Sequence, residues 1–275
     1  MRADLHIHTT ASDGSWSPSE VVAHVRQAGV RLFAVADHDS LAAVPATAGL
    51  ARQAGLSFLP AAEVSALTNG TVLHILAYGA DPSDAPLNQM LQANRERMNW
   101  LNEETLRRLV RAGYPLDMAA YADYRPDPSR GGWKALNFLI DTGLCRDVQD
   151  FFARIYVGPI RPPNPDFPHP AEVAAVIRAA GGLPVVAHAG MSLRPQEISA
   201  ATLAPLLAFD IAGLECYSSY HDPATTATCL DFCARHDLLV TGGSDCHGSF
   251  AGRTLGVPPV DIRDLRLGPL EARIV

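Results

Sequence analysis

The chain has 275 residues, 48% of them apolar, and a formal net charge of -7. That apolar content excludes a disordered chain, and the length suits one large α/β barrel or two modest domains. The negative balance speaks against general attraction to nucleic acid, and no apolar run reaches the roughly 18–20 residues of a membrane span.

The start, Met1-Arg2-Ala3-Asp4, leads straight into a polar histidine motif with no signal-peptide pattern, so a cytoplasmic location is expected. Ala3 to Ile7 reads as a strand. Ser17-Pro18-Ser19-Glu20 reads as a helix start, with Ser17 as N-cap and Glu20 closing a capping box; the helix runs to about Ala28 and stops at Gly29. Arg31 to Ala36 is a second strand, ending at Asp37-His38-Asp39. A helix from about Ala42 to Ala54 stops at Gly55. Leu56 to Ala61 is a third strand, ending at Glu63, and Thr71 to Tyr78 a fourth, carrying His74.

The pattern then changes. Leu87 to Ala112 is one long charged helix, a polar segment runs from Tyr121 to Gly132, and Trp133–Thr142 and Val148–Ile155 look helical. Residues 83–165 therefore read as a helical insertion between two parts, 1–82 and 166–275, of one alternating α/β domain. The return linker, Pro159 to Pro170, holds six prolines. Alternation then resumes with helix Pro170–Ala180, strand Leu183–Ala187 ending at His188, helix Gln196–Ala208, strand Ala212–Cys216 containing Glu215, helix Pro223–His236 and strand Leu238–Thr241 ending at Ser244-Asp245-Cys246-His247. Of five cysteines, Cys229 and Cys233 share a helix face, but no second pair supports a metal site, so apolar packing is expected.

Apolar strands alternating with helices imply parallel pairing covered by helices. Periodicity does not separate a barrel from an open doubly wound sheet. The placement of polar residues favours the barrel: His6/His8, Asp37/His38, Glu63, His188 and Asp245/His247 fall at or just past strand C-terminal ends, which share one face in a β/α barrel.

Asp4-Leu5-His6-Ile7-His8 puts two imidazoles on one strand face, within reach of one ion. Such a pair is a weak signal by itself, and Glu63 or His74 alone would read as a surface or core residue. Together they form an ordered set of metal-competent groups that is costly to bury without cations.

Asp4-Leu5-His6-Ile7-His8-Thr9, Ala36-Asp37-His38-Asp39, Glu63-Val64-Ser65, His74-Ile75-Leu76, Ala187-His188-Ala189-Gly190 and Gly243-Ser244-Asp245-Cys246-His247 resemble, in order, the motifs of the polymerase-and-histidinol-phosphatase (PHP) family. The resemblance implies a distorted (β/α)7 barrel with a helical insertion, two or three divalent ions (manganese, iron or zinc) and phosphate-ester hydrolysis by a metal-activated hydroxide. It also implies a division of ligands: His6, His8, Glu63 and Asp245 for one ion; Glu63, His74 and His188 for a second, with Glu63 bridging; Asp13, His38 and His247 for a third. Glu63, His188, Asp245 and His247 would carry the catalysis, and Asp37 would orient a histidine.

The layout most resembles the branch acting on nucleoside 3′,5′-bisphosphates and short RNA. Two departures matter. His188-Ala189-Gly190-Met191 stands where relatives often have His-Pro-Gly-Arg, and Ser129 to Lys134 lacks the usual Arg-Thr-His or Arg-Pro-His run. Arg130, Lys134 or Arg194 is expected to supply the missing positive charge, Ser218 and Ser219 to bind phosphate oxygens, and His221 or a metal-bound water to supply a proton. The expected substrate is a small phosphorylated metabolite or nucleotide, with no stable nucleic-acid duplex and no membrane as partner. A histidinol-phosphate-type phosphatase, a non-catalytic metal- or nucleotide-binding module and a hydrolase of C–N bonds are the competing readings.

Overall fold

A computed structural model describes residues 1–275. In chain order it runs β1 (Arg2–Ile7), α1 (Pro18–Gln27), β2 (Val30–Val35), α2 (Val44–Ala54), β3 (Ser57–Phe58), β4 (Glu63–Thr68), β5 (Thr71–Tyr78), α3 (Ala85–Arg111), α4 (Met118–Asp123), α5 (Lys134–Asp141), α6 (Val148–Asp150), α7 (Pro170–Ala179), β6 (Leu183–Val186), α8 (Ala189–Ser192), α9 (Ala200–Leu203), β7 (Gly213–Ser218), α10 (Pro223–Arg235), β8 (Leu239–Gly243) and β9 (Val260–Asp261).

Local chemistry sets many of these bounds. Ser17 Oγ accepts from Glu20 N while Glu20 Oε2 accepts from Ser17 N at 2.7 Å, so the expected capping box starts α1. Gly55, with φ +66°, ends α2 as expected. The helix expected over Gln196–Ala208 is shorter and broken. A second capping box, Ser199 with Thr202, starts α9 only at Ala200, and Pro205 sits at the head of the 3₁₀ stretch that follows. The helix expected over Val148–Ile155 widens after α6 into a π-turn, Phe151–Ile155.

The strands form two sheets, ordered β3-β2-β1-β9 and β4-β5-β6-β7-β8. Two junctions between them are spanned by single parallel bridges, Ile7 with Cys246 and His38 with Glu63. The all-parallel expectation needs correction. β5 runs antiparallel to both β4 and β6. Asn69 and Gly70 both have positive φ, +48° and +75°, and form a two-residue hairpin turn between paired Thr68 and Thr71. The third strand is also shorter than expected, so Glu63 opens β4 instead of closing β3, and His74 lies mid-strand.

Past the exposed Arg31, β2 reads as an unbroken apolar run because both faces are buried. Phe33 and Val35 pack with Val21 and Val25 of α1, Ala51 of α2, Leu87 and Leu91 of α3, and Ile177 of α7. Leu32 and Ala34 pack on the other side with Leu76, Tyr78 and Val185. The C-terminal segment closes that side: Leu267 and Leu270 are buried there, and Val275 exchanges two backbone hydrogen bonds with Phe58 at 2.9 Å. Cys229 and Cys233 are buried against Leu214 and Phe232, as the apolar-packing reading expects. A separate apolar cluster, including Leu106, Leu109, Leu136, Phe138 and Phe151, holds the second half of α3 against the elements around α5. No helix is long and apolar enough to cross a membrane.

Candidate metal centre

Six strands deliver one cluster. His6 lies near the end of β1 and His8 just beyond it; His38 follows β2, His188 follows β6, and Asp245 and His247 follow β8. Glu63 enters from the start of β4 and His74 from the middle of β5. Asp13 reaches in from the loop after β1. Backbone conformation shows the cost of this convergence: His188 and Asp245 have φ of +26° and +53°, a region that non-glycine residues rarely occupy. Gly243 allows β8 to approach β1, because a Cβ there would lie 2.4 Å from His6 Cβ.

In each of three overlapping groups the donor atoms lie within 4.8 Å of one another: His6, His8, Glu63 and Asp245; His8, Asp13, His38 and His247; and His38, Glu63 and His74. Glu63 faces two ways. Its Oε1 lies 2.9 Å from His74 Nδ1 and 2.8 Å from His188 Nε2, and its Oε2 lies 3.0 Å from His38 Nδ1 and 3.3 Å from both His6 Nε2 and His8 Nε2. Asp245 Oδ1 is 2.9 Å from His8 Nε2, and Asp13 Oδ1 is 3.2 Å from His247 Nε2. All nine expected ligand residues are therefore in one place. The grouping differs in detail from the expected sets, since His38 also stands with Glu63 and His74, and His8 with Asp13 and His247.

The electrostatics fit cations. His6 Nε2, His8 Nε2, Glu63 Oε2, His74 Nδ1 and Asp245 Oδ1 are buried without a hydrogen bond, and an orphaned buried polar atom costs about 1–3 kcal/mol. Atoms of five residues converging unpaired suit shared divalent cations, which accept nitrogen and oxygen donors alike. Burial would raise the Glu63 carboxyl, but the imidazoles of His74, His38 and His6 hold it well below its usual range. Asp245 and Asp13 are likewise held low against burial, by His6 and by His247 respectively. Burial lowers the His74 and His247 pKa values, which favours the neutral, ligating imidazole.

Comparison with known proteins now decides the family. A protein of Eggerthella lenta, phosphoribosyl 1,2-cyclic phosphate 1,2-diphosphodiesterase, is 30% identical over 288 residues, covering 96% of this chain and 99% of its own. This chain belongs to the PHP-like metal-dependent phosphoesterases. It is a phosphoric ester hydrolase of mixed α/β fold. A 3′,5′-nucleoside bisphosphate phosphatase of Chromobacterium violaceum is 28% identical over 99% of this chain and 97% of its own length, and the 5′-3′ exoribonuclease Rnm of Escherichia coli 27% identical over 89% and 84%. Among solved structures, a candidate metal-dependent phosphoesterase from Bifidobacterium adolescentis superposes with a TM-score of 0.84 at 28% identity, covering 98% of this chain and 96% of its own. An amidohydrolase from Chromobacterium violaceum, solved with bound SO4 and no metal, gives 0.80 at 25% identity, covering 100% and 98%. No family model matches the chain.

Around this PHP-type centre the structure rearranges the expected substrate residues. Arg130 Nη1 is 2.7 Å from Asp141 Oδ1, and Lys134 Nζ donates to Ala122 O at 3.1 Å and sits over the Tyr121 ring. Both charges are engaged within the helical region, not at the cluster. Arg194 is exposed. His221 has both ring nitrogens occupied: Nδ1 lies 2.9 Å from Cys216 O, and Nε2 accepts from Gly190 N at 2.9 Å. It ties the His188 loop to β7, which leaves no free proton donor. Ser218 is buried with an unpartnered Oγ. Asp37 binds no histidine; it accepts from Thr9 N, Thr9 Oγ1 and Ser12 Oγ and so shapes the loop that carries Asp13.

Three residues at the site went unassigned in the sequence. Glu215 Oε1 lies 2.9 Å from His6 Nδ1 while its Oε2 accepts from His188 N at 2.9 Å. A lone carboxylate in the apolar run Gly213-Leu214-Glu215-Cys216 is the same signal that singles out Glu63. Tyr220 donates to Asp245 Oδ2 at 3.0 Å. Arg253 donates from Nε to Asp245 O at 2.5 Å, and its Nη2 lies 2.9 Å from His247 Nδ1. It follows the last motif on an irregular loop, where spacing carries no signal.

Proposed function

We propose that this enzyme cleaves a phosphate ester of a nucleotide, with nucleoside 3′,5′-bisphosphates or short oligonucleotides as the preferred class. The observation that carries the reading is the two-faced Glu63 carboxylate between His74/His188 and His6/His8/His38. That arrangement supports a shared centre of two or three divalent ions: one held by His6, His8, Glu63 and Asp245, a second by Glu63 with His74 and His188, a third by Asp13, His38 and His247. Manganese, iron and zinc all suit these donors. Bound cations supply a water nucleophile at neutral pH and neutralise phosphoryl charge. The two sheets and their bridging pairs support reading the strands as a distorted (β/α)7 barrel, with 1–82 and 166–275 as the barrel and 83–165 as an inserted lid.

The protein's own groups do the rest. Glu215 fixes the His6 ring by its Nδ1, so that Nε2 faces the centre. Ser218 Oγ, buried and unpartnered, is available to a phosphoryl oxygen. An aromatic ledge favours a nucleotide over a smaller metabolite. Ring centroids step from His247 to Phe250 (6.3 Å), to Trp133 (6.4 Å) and to Phe152 (6.1 Å), and Phe152 is 54% exposed. Bases stack on such faces. The bound SO4 of the Chromobacterium amidohydrolase and the named substrates of the relatives support a phosphorylated ligand.

The test is a substrate panel on manganese-loaded protein: adenosine 3′,5′-bisphosphate, a short oligoribonucleotide, phosphoribosyl 1,2-cyclic phosphate and histidinol phosphate. Highest kcat/KM on the first two is expected. A clear preference for the cyclic phosphate would move the chain to the Eggerthella activity, and one for histidinol phosphate would remove the nucleotide reading.

A further inference from the structure

The geometry points to Arg253, held in place by Tyr220, as the side chain that grips the phosphoryl group of the substrate. The proposal rests on the phosphate-ester reading above, but assigns the contact to a residue on the loop after β8.

Arg253 is the one lysine or arginine that pairs with a member of the cluster; its Nε lies 3.4 Å from Asp245 Oδ2. Of the cations expected from the sequence, Arg130 and Lys134 are engaged elsewhere, and Arg194 is exposed and pairs with no member of the cluster. Two contacts fix the guanidinium. Nε donates to the Asp245 carbonyl at 2.5 Å, and Nη1 donates to Tyr220 Oη, which in turn donates to Asp245 Oδ2 at 3.0 Å. The guanidinium also lies against the Tyr220 ring, 5.3 Å from its centroid. A planar fork held through Nε and Nη1 and along one face is a pre-organised group, not a mobile surface cation.

Only three of its five N–H groups are engaged, so Nη1 and Nη2 each keep one N–H without a partner. Nη2 lies 2.9 Å from His247 Nδ1, yet that nitrogen is also 2.8 Å from the Asp245 carbonyl. If Nε2 of His247 serves as a ligand, the ring proton sits on Nδ1 and is donated to that carbonyl. Two N–H groups then face each other, and Nη2 must find another acceptor. The side chain is 21% exposed, so the free N–H groups can reach a ligand. A phosphoryl oxygen meets the requirement: it is anionic, it accepts paired N–H bonds, and guanidinium matches it geometrically.

The experiment compares wild-type, R253A, R253K and Y220F as manganese-loaded proteins. Metal content, thermal stability, inhibition by inorganic phosphate and steady-state kinetics are read for each. For R253A we expect wild-type metal content, an inhibition constant for phosphate raised at least about tenfold, and kcat lowered by about 10²–10³, the usual loss for a charge-stabilising donor. R253K should recover only part of the phosphate affinity, because an ammonium cannot supply the fork. Y220F should weaken phosphate inhibition less than R253A does. Unchanged phosphate inhibition in R253A would overturn the assignment. So would loss of metal from R253A with phosphate affinity restored by added manganese, since Arg253 would then act only through Asp245 and His247. If wild-type turns over no phosphate ester, the functional reading fails on its own; phosphate binding by calorimetry to wild-type and R253A still decides the role of Arg253.

Discussion

Glu215 and His6 form a fully buried pair, with Oε1 2.9 Å from Nδ1, and the second oxygen of the same carboxylate accepts the backbone N–H of His188. One strand residue thus orients a ring on β1 and a turn after β6. Replacing it should harm the centre without touching a donor atom. We expect E215Q to lower metal affinity about 10–100-fold; E215A should also destabilise the fold by about 3–5 kcal/mol, because a buried partner is removed from a charge-bearing group. Metal titration and thermal melts check both. Unchanged metal affinity in E215Q would show that His6 needs no such orientation.

Proton and cation should compete for this site. Burial opposes the charged form of His6, His8 and His38, but facing carboxylates win: Glu215 raises His6, and Glu63 and Asp13 push His38 up to about 10 from its ordinary 6.5. Groups with raised values stabilise the metal-free fold below pH 6.5 and lose that contribution as pH climbs through the folded value. The depressed carboxylates Glu63, Asp13 and Asp245 act oppositely, contributing above their ordinary range and failing only in strong acid. Metal-free protein should therefore melt lower at pH 10 than at pH 6.5, and cation uptake near neutrality should release protons. Calorimetry in buffers of different ionisation enthalpy counts them; a flat melting temperature for the metal-free form would contradict the assignment.

The closeness of β8 and β1 predicts a sharp effect at Gly243. A methyl group 2.4 Å from His6 Cβ cannot be accommodated without moving one strand. G243A should cost about 1–3 kcal/mol, as overpacking does, and should weaken metal binding because His6 moves. Denaturant melts and metal content decide it. Wild-type values for both would mean the strands yield freely.

Base stacking on the aromatic ledge is the feature proposed to separate nucleotides from small phosphate esters. W133A and F250A should raise KM for adenosine 3′,5′-bisphosphate by about 5–150-fold, the equivalent of about 1–3 kcal/mol of base stacking. KM for a phosphate ester lacking a base should change little. Equal changes for both substrates would mean that these rings only pack the helical region.

Much of the centre was legible in the sequence because its donors sit in short motifs. His6 and His8 are two apart at the end of a strand, so local geometry brings both rings to one face, and Asp245 and His247 fall two apart just past another strand's end. Family resemblance supplied the order of the remaining donors. The capping box at Ser17 and the C-terminal glycine at Gly55 were legible for the same reason: their hydrogen bonds close within a few residues. Tertiary structure alone decided the rest. Asn69-Gly70 is itself a local hairpin signal, but the apolar run after it reads alike in either direction, and only the fold sets β5 antiparallel to β6 and brings His74 in from mid-strand. Arg130 and Lys134 looked like ligands for phosphate, but Asp141 and Ala122 O, close to them within one helical region, hold their charges. Glu215 and Arg253 join the site from 209 residues beyond His6 and from the loop after β8. A contact across 209 residues is selected by burial and charge pairing in the folded state, and no spacing along the chain records it; Arg253 lies only six residues past His247, but on an irregular loop whose path no periodicity fixes.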